Sequence, residues 1–186
     1  MKEKVRVAIN GFGRIGRLAF RELTEKSNVE VVAINDLTDL TTLAHLLKFD
    51  SVHGKFGHEV KIENNSLFVN DKEVKVFSEP SPSKLPWGEL AVDIVIECTG
   101  RFLTQKSAEQ HLSAGAGKVV LSAPAKDDIK TIVLGVNEES LTKDDLIVSN
   151  ASCTTNCLAP MVKVLDEAFG IEKGYISTIH AYTADQ

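Results

Sequence analysis

The stretch VRVAINGFGRIGRLAF at residues 5–20 decides how the rest of the chain is read. Val5 to Asn10 is an apolar, β-branched run of strand length, and Ile15, Leu18, Ala19 and Leu23 then recur at helical spacing. Between the two stands Gly11-Phe12-Gly13-Arg14-Ile15-Gly16, a GxGxxG run. Such a run alone says little, because glycines often serve only tight turns. Placed between a strand and a helix, each glycine has a task. Gly11 makes the turn, Gly13 lets backbone approach a pyrophosphate, and Gly16 lets the helix pack closely on the strand. The helix start adds N–H groups without partners and a dipole that favours anions.

Working outward, Val29 to Asn35 is a second apolar strand that ends on Asp36, twenty residues after Gly16. A carboxylate there accepts hydrogen bonds from both hydroxyls of an adenine ribose and repels a 2′-phosphate, which favours NAD over NADP. Leu40, Leu43, Ala44 and Leu47 mark a helix, so the chain begins with a βαβ unit, parallel strands and a right-handed crossover. Residues 60 to 77 hold short alternating runs around Asn64-Asn65 and Asn70-Asp71, which predicts an antiparallel insertion. After Pro80, Pro82 and Pro86 the alternation resumes. It gives a strand Asp93 to Cys98, a helix from Gln105 to Ala114, and strands Lys118 to Ser122, Thr131 to Val136 and Leu146 to Ser149. Ser152 to Phe169 reads as a helix with Leu158, Met161, Val162 and Leu165 on one face. Pro160 inside it either kinks the helix or marks its start. A last strand is expected from Gly174 to about Tyr182, carrying His180. The fold expected is α/β: a doubly wound, mostly parallel sheet with a small antiparallel insertion.

Across its 186 residues the chain is 43% hydrophobic and 25% charged, the balance of a globular protein able to build a core, and its net charge of −5 gives no basic surface for nucleic acid. No apolar run approaches a membrane span, and MKEKVRVAIN lacks the pattern of a signal peptide, so a cytoplasmic protein is expected. Three cysteines, Cys98, Cys153 and Cys157, do not make a disulfide framework, and without a CxxC or a histidine pair nearby no metal site is expected. Cys153 stands just before or at the start of the last long helix, behind polar residues able to cap it. A thiol there loses its proton more readily than a buried packing cysteine.

Three runs carry a resemblance: INGFGRIGR at 9–17, NASCTTNCLAP at 150–160 and HAYT at 180–183. With SVHGKF at 51–56, ECTGRF at 97–102 and LSAPAKD at 121–127, they make the whole chain resemble the phosphorylating glyceraldehyde-3-phosphate dehydrogenases. Residue patterns alone reach only a nucleotide-binding α/β domain with a candidate reactive cysteine; the dehydrogenase reading comes from the resemblance. It implies a Rossmann-type NAD-binding domain over residues 1–150. It also implies that residues 151–186 are the first helix and strand of an α+β catalytic domain that relatives continue well beyond this point.

By the same resemblance Cys153 is the nucleophile and His180 its acid–base partner, chemistry suited to a thiolate and to an imidazole that titrates near neutrality. Gly11, Gly13, Arg14, Ile15, Gly16, Asp36, Thr99, Gly100 and Ser122 are implied around NAD, with Phe102 closing the strand end. Ser152, Thr154 and Thr183 are implied at the substrate or the attacking phosphate. Glyceraldehyde 3-phosphate and inorganic phosphate would be the substrates, and a homotetramer the assembly. Erythrose-4-phosphate dehydrogenase and an inactive NAD-binding fragment are the alternatives. Cys157 reads as helix packing, with a bond to Cys153 under oxidation left open. Cys98 and Trp87 read as packing, and His45, His53, His58 and His111 as solvated or satisfied core residues. One departure stands out. Many relatives carry an arginine after the glutamate where this chain has Pro80 after Glu79, so a contact to the adenosine half of NAD is missing.

Overall fold

A computed structural model describes residues 4–180. Strand β1 (Val5–Asn10), helix α1 (Arg14–Thr24), strand β2 (Val29–Asn35) and helix α2 (Leu40–Lys48) form the expected unit. β1 and β2 run parallel, with Val5 opposite Val29 and Asn10 opposite Asn35. Side chains along each strand alternate between two cores. Ala8 and Ala33 join Trp87, Val92 and Val95 on one face. Ile9 and Ile34 join Phe20, Leu43 and Leu47 on the other. Burial on both faces is why these strands read as unbroken apolar runs.

A short hairpin, β3 (Phe49–Asp50) with β4 (Gly54–Lys55), is followed by the antiparallel strands β5 (Val60–Glu63), β6 (Ser66–Val69) and β7 (Lys72–Phe77). The turns between these three strands fall on Asn64-Asn65, at φ 48° and 61°, and Asn70-Asp71, at φ 47° and 61°. Those left-handed pairs match the twist of a two-residue hairpin. β7 then pairs in parallel with β2, so the insertion extends the main sheet. The rest comprises β8 (Ile94–Glu97), α3 (Gln105–Ser113), β9 (Lys118–Leu121), β10 (Ile147–Ser149) and α4 (Cys153–Phe169). The sheet order is β10-β9-β8-β1-β2-β7-β6-β5. The chain builds outward from β1 on one side and returns to build on the other. Between β1 and β8 a crevice therefore opens at the carboxyl ends of the strands.

Three expectations are corrected or resolved. Thr131 to Val136 is not a strand. Only Thr131 bridges to Ser149, because the Asn137 side chain takes the Val133 N–H (2.8 Å) and the Thr131 carbonyl (2.9 Å), and Gly135 turns the chain at φ 82°. Residues 174–180 form no strand either: they pair with no strand among the described residues, and a strand without a ladder partner is not one. The end of that stretch, with Tyr182 and Thr183, lies outside the described residues. Pro160 sits inside α4, and the helix starts earlier, at Cys153.

Candidate active site

Helix α1 is preceded by Gly13, which is extended (φ −70°, ψ −158°) and supplies no side-chain cap. Its first-turn N–H groups are therefore offered to whatever occupies the crevice. Two of the three glycines are demanded by a neighbour. A Cβ on Gly16 would lie 2.1 Å from the Gly11 carbonyl oxygen, and one on Gly11 would lie 2.7 Å from the Cys98 and Thr99 backbone. A Cβ on Gly13 would meet nothing within 4 Å, because that glycine faces the open crevice. The crevice holds about 290 Å³ and is lined by Gly11, Gly13, Asp36, Thr99 and Phe102 among the expected residues.

Asp36 anchors the loop. One carboxylate oxygen accepts the Phe12 N–H at 2.7 Å and the other the Thr38 N–H at 2.9 Å. Each oxygen has two lone pairs, so acceptor positions remain for ribose hydroxyls. A glycine cradle, an uncapped helix start and this carboxylate fit an anionic dinucleotide with a free ribose. The Arg14 side chain is taken up by another partner. It pairs with Asp50 through two contacts, at 2.9 and 3.3 Å. Ile15 is half exposed beside it. Gly100 turns the chain at φ 71° between Thr99 and Phe102. Ser122 follows β9, and its hydroxyl bonds the Cys98 thiol; burial nevertheless pushes that thiol up to about 11.

At the same edge of the sheet, Ser149 ends β10 and the chain turns into α4. Ala151 adopts φ 59°, a left-handed conformation that costs an alanine about 1–2 kcal/mol. It is held there by the Ser149 hydroxyl on its N–H (3.1 Å) and by Asn156, whose amide reaches the Asn150 and Ser152 carbonyls at 2.7 and 2.9 Å. Ser152 then caps α4, its oxygen accepting the Thr155 N–H at 3.0 Å. Cys153 is the first helical residue, and its sulfur lies 3.4 Å from Nε2 of His180. The hydrogen bond from His180 and that from Thr154 pull the Cys153 thiol below its ordinary range. Cys157, one turn on, is exposed, and all three cysteines are free thiols.

The structure thus brings Ser152, Cys153, Thr154 and His180 together, and Gly11, Gly13, Asp36, Thr99 and Phe102 together. β1 and β10 stand three strand spacings apart, roughly 15 Å. Sequence reasoning missed the polar floor of the crevice. Asn10 and Asn35 are buried, and the Asn35 side chain grips the Glu79 backbone (2.9 and 2.8 Å), which sets Pro80 on the crevice wall. The available signal was an asparagine ending each of two apolar strands, where solvated turns are normal.

A crevice at a switch point, with an uncapped helix aimed into it, is the mark of dinucleotide-binding α/β proteins, and a histidine-paired thiol on the same edge narrows the class to those with a cysteine poised for chemistry. Comparison with known proteins identifies which. Residues 5–105 match "Glyceraldehyde 3-phosphate dehydrogenase, NAD binding domain", and residues 152–186 match "Glyceraldehyde 3-phosphate dehydrogenase, C-terminal domain". The chain belongs to the glyceraldehyde 3-phosphate dehydrogenase family. It is 61% identical over 181 residues to glyceraldehyde-3-phosphate dehydrogenase of Clostridium pasteurianum, which covers 97% of this chain and 54% of the relative. It is 60% identical over 183 residues to that of Thermotoga maritima (97% and 55%) and 57% identical over 183 to that of Geobacillus stearothermophilus (98% and 55%). The chain spans about half the length of these curated relatives. No helix among the described residues is long and apolar enough to cross a membrane.

Proposed function

We propose that the protein oxidises and phosphorylates glyceraldehyde 3-phosphate to 1,3-bisphosphoglycerate, with NAD in the crevice and Cys153 as nucleophile. The observation that carries the reading is the 3.4 Å contact of Cys153 with His180 at the capped start of α4. The Cys153 thiolate attacks the aldehyde carbon, a C–S bond forms, and His180 holds the thiol proton and supplies it to the new oxyanion. NAD held on Asp36 and the start of α1 would supply the hydride acceptor for that carbon. His180 withdraws the hydroxyl proton as the hydride leaves, so a thioester remains on Cys153. Inorganic phosphate attacks the thioester, the C–S bond breaks, and the thiolate is restored beside His180. Ser152 and Thr154 flank the sulfur and are assigned to the substrate or the phosphate, with Thr183.

Asp36 takes the adenine ribose, the start of α1 the pyrophosphate, and the wall from Thr99 to Phe102 with Ser122 the remainder. Residues 1–150 serve as the cofactor domain and 151–186 as the start of the catalytic domain, a division supported by the two matched segments. Family membership supports a cytoplasmic homotetramer. The test is to mix native protein, NAD and glyceraldehyde 3-phosphate without phosphate and examine peptides by mass spectrometry. The peptide holding Cys153 is expected to carry the acyl group, which added phosphate removes. Acylation at Cys98 or Cys157 instead, or at no cysteine, contradicts the reading.

A further inference from the structure

β8 is an apolar strand that ends on a glutamate, and the Glu97 side chain is completely buried. A carboxyl group in that position is costly unless hydrogen-bond donors surround it. Four do. The Asn10 amide lies at 2.5 Å, His111 Nε2 at 3.0 Å, and the backbone N–H and hydroxyl of Thr99 at 2.7 and 2.5 Å. The tautomer of His111 follows from its other neighbour. The Trp87 indole can only donate, and it reaches Nδ1 at 3.0 Å, so the ring proton stands on Nε2, facing Glu97.

These donors come from both banks of the switch point. Asn10 ends β1, and Thr99 follows β8. The Asn10 side-chain oxygen Oδ1 in turn accepts from the Asn35 side-chain amide at 2.7 Å, which carries the tie on to β2. Thr99 also presses on the glycine turn, its backbone nitrogen 2.7 Å from where a Gly11 Cβ would lie. Beside the backbone bond from the Cys98 N–H to the Asn10 carbonyl (2.7 Å), one buried carboxyl group thus ties the side chain of Asn10 to Thr99 across the mouth of the crevice.

We propose that Glu97 is a positioning residue for the cofactor: it holds Thr99 and Asn10 in register and so orients the nicotinamide half of NAD without touching it. This rests on the NAD reading of the same crevice. With the adenine ribose on Asp36 at the β2 side and the pyrophosphate on α1, the nicotinamide half falls on the β8 side, where Thr99 and Asn10 line the wall.

Glu97→Gln keeps the volume but turns an NH2 group toward donors, and Thr99→Val removes one donor while keeping the branched shape. Calorimetry on the full chain would compare NAD with AMP, which engages only the adenosine side. Glu97→Gln is expected to weaken NAD tenfold or more while AMP stays within twofold. Thr99→Val is expected to weaken NAD at least threefold with the same AMP tolerance, and it serves as the deciding variant if Glu97→Gln fails to fold by circular dichroism. Equal loss of NAD and AMP, or unchanged NAD affinity in both variants, overturns the proposal. An unaltered chain that binds neither ligand overturns the NAD reading, and this proposal with it.

Discussion

Asp36 closes the glycine loop through Phe12 and Thr38, and in the proposed function its remaining lone pairs take the ribose. A hydrogen bond to a charged group contributes about 1.5–3 kcal/mol, so Asp36→Ala should weaken NAD at least tenfold in a titration. NADP should lose less, because the alanine also removes a charge that repels its 2′-phosphate. Equal losses would leave only the loop-closing duty. The cysteines divide by environment in the same way. Burial raises the Cys98 thiol to about 11, whereas Cys153 has a helix start and an imidazole to favour its thiolate. The sequence carried the Cys153 motif and the acid at 36 in plain view, since both sit in local patterns. Glu97 was not legible. Its four donors come from residues 10, 99 and 111, and only the sheet brings those segments together.

At the scale of elements, the start of α1 separates packing from binding. Gly16 is required by the fold, because a Cβ there would meet backbone, whereas one on Gly13 would stand in open space, where the proposed function puts the ligand. Gly16→Ala should lower the urea-unfolding free energy by about 1–3 kcal/mol, as overpacking does. Gly13→Ala should melt like the unaltered chain, since its extended backbone suits alanine, yet bind NAD at least tenfold more weakly because its methyl enters the crevice. The same profile for both variants would contradict this division. Strands buried on both faces and hairpins with asparagine turns announced themselves through periodicity and turn chemistry. The segment 131–136 misled because its valine and isoleucine suit a strand, while Asn137, just beyond it, diverts the backbone groups a ladder needs.

For the molecule as a whole, the parallel sheet explains how the two sites meet in the proposed reaction. β1, β8, β9 and β10 all point their carboxyl ends to one edge, so the crevice and the start of α4 share it. The apolar residues Met161, Val164 and Phe169 of α4 are exposed among the described residues, and the chain spans about half the length of its relatives. Cys153 activation is the claim on which the proposed reaction depends, and alkylation against pH tests it on the native protein. A free thiol titrates near 8.5; a depressed one is thiolate at lower pH, so its reactivity rises earlier on the pH axis. Iodoacetamide labelling, followed by mass spectrometry of all three cysteines, should modify Cys153 first, with a pH midpoint below that of a free thiol and with loss of NADH formation in step. In His180→Ala that midpoint should move up and labelling at neutral pH should slow. Labelling of Cys157 or Cys98 ahead of Cys153, with activity lost in parallel, or a Cys153 midpoint indifferent to His180, would contradict it.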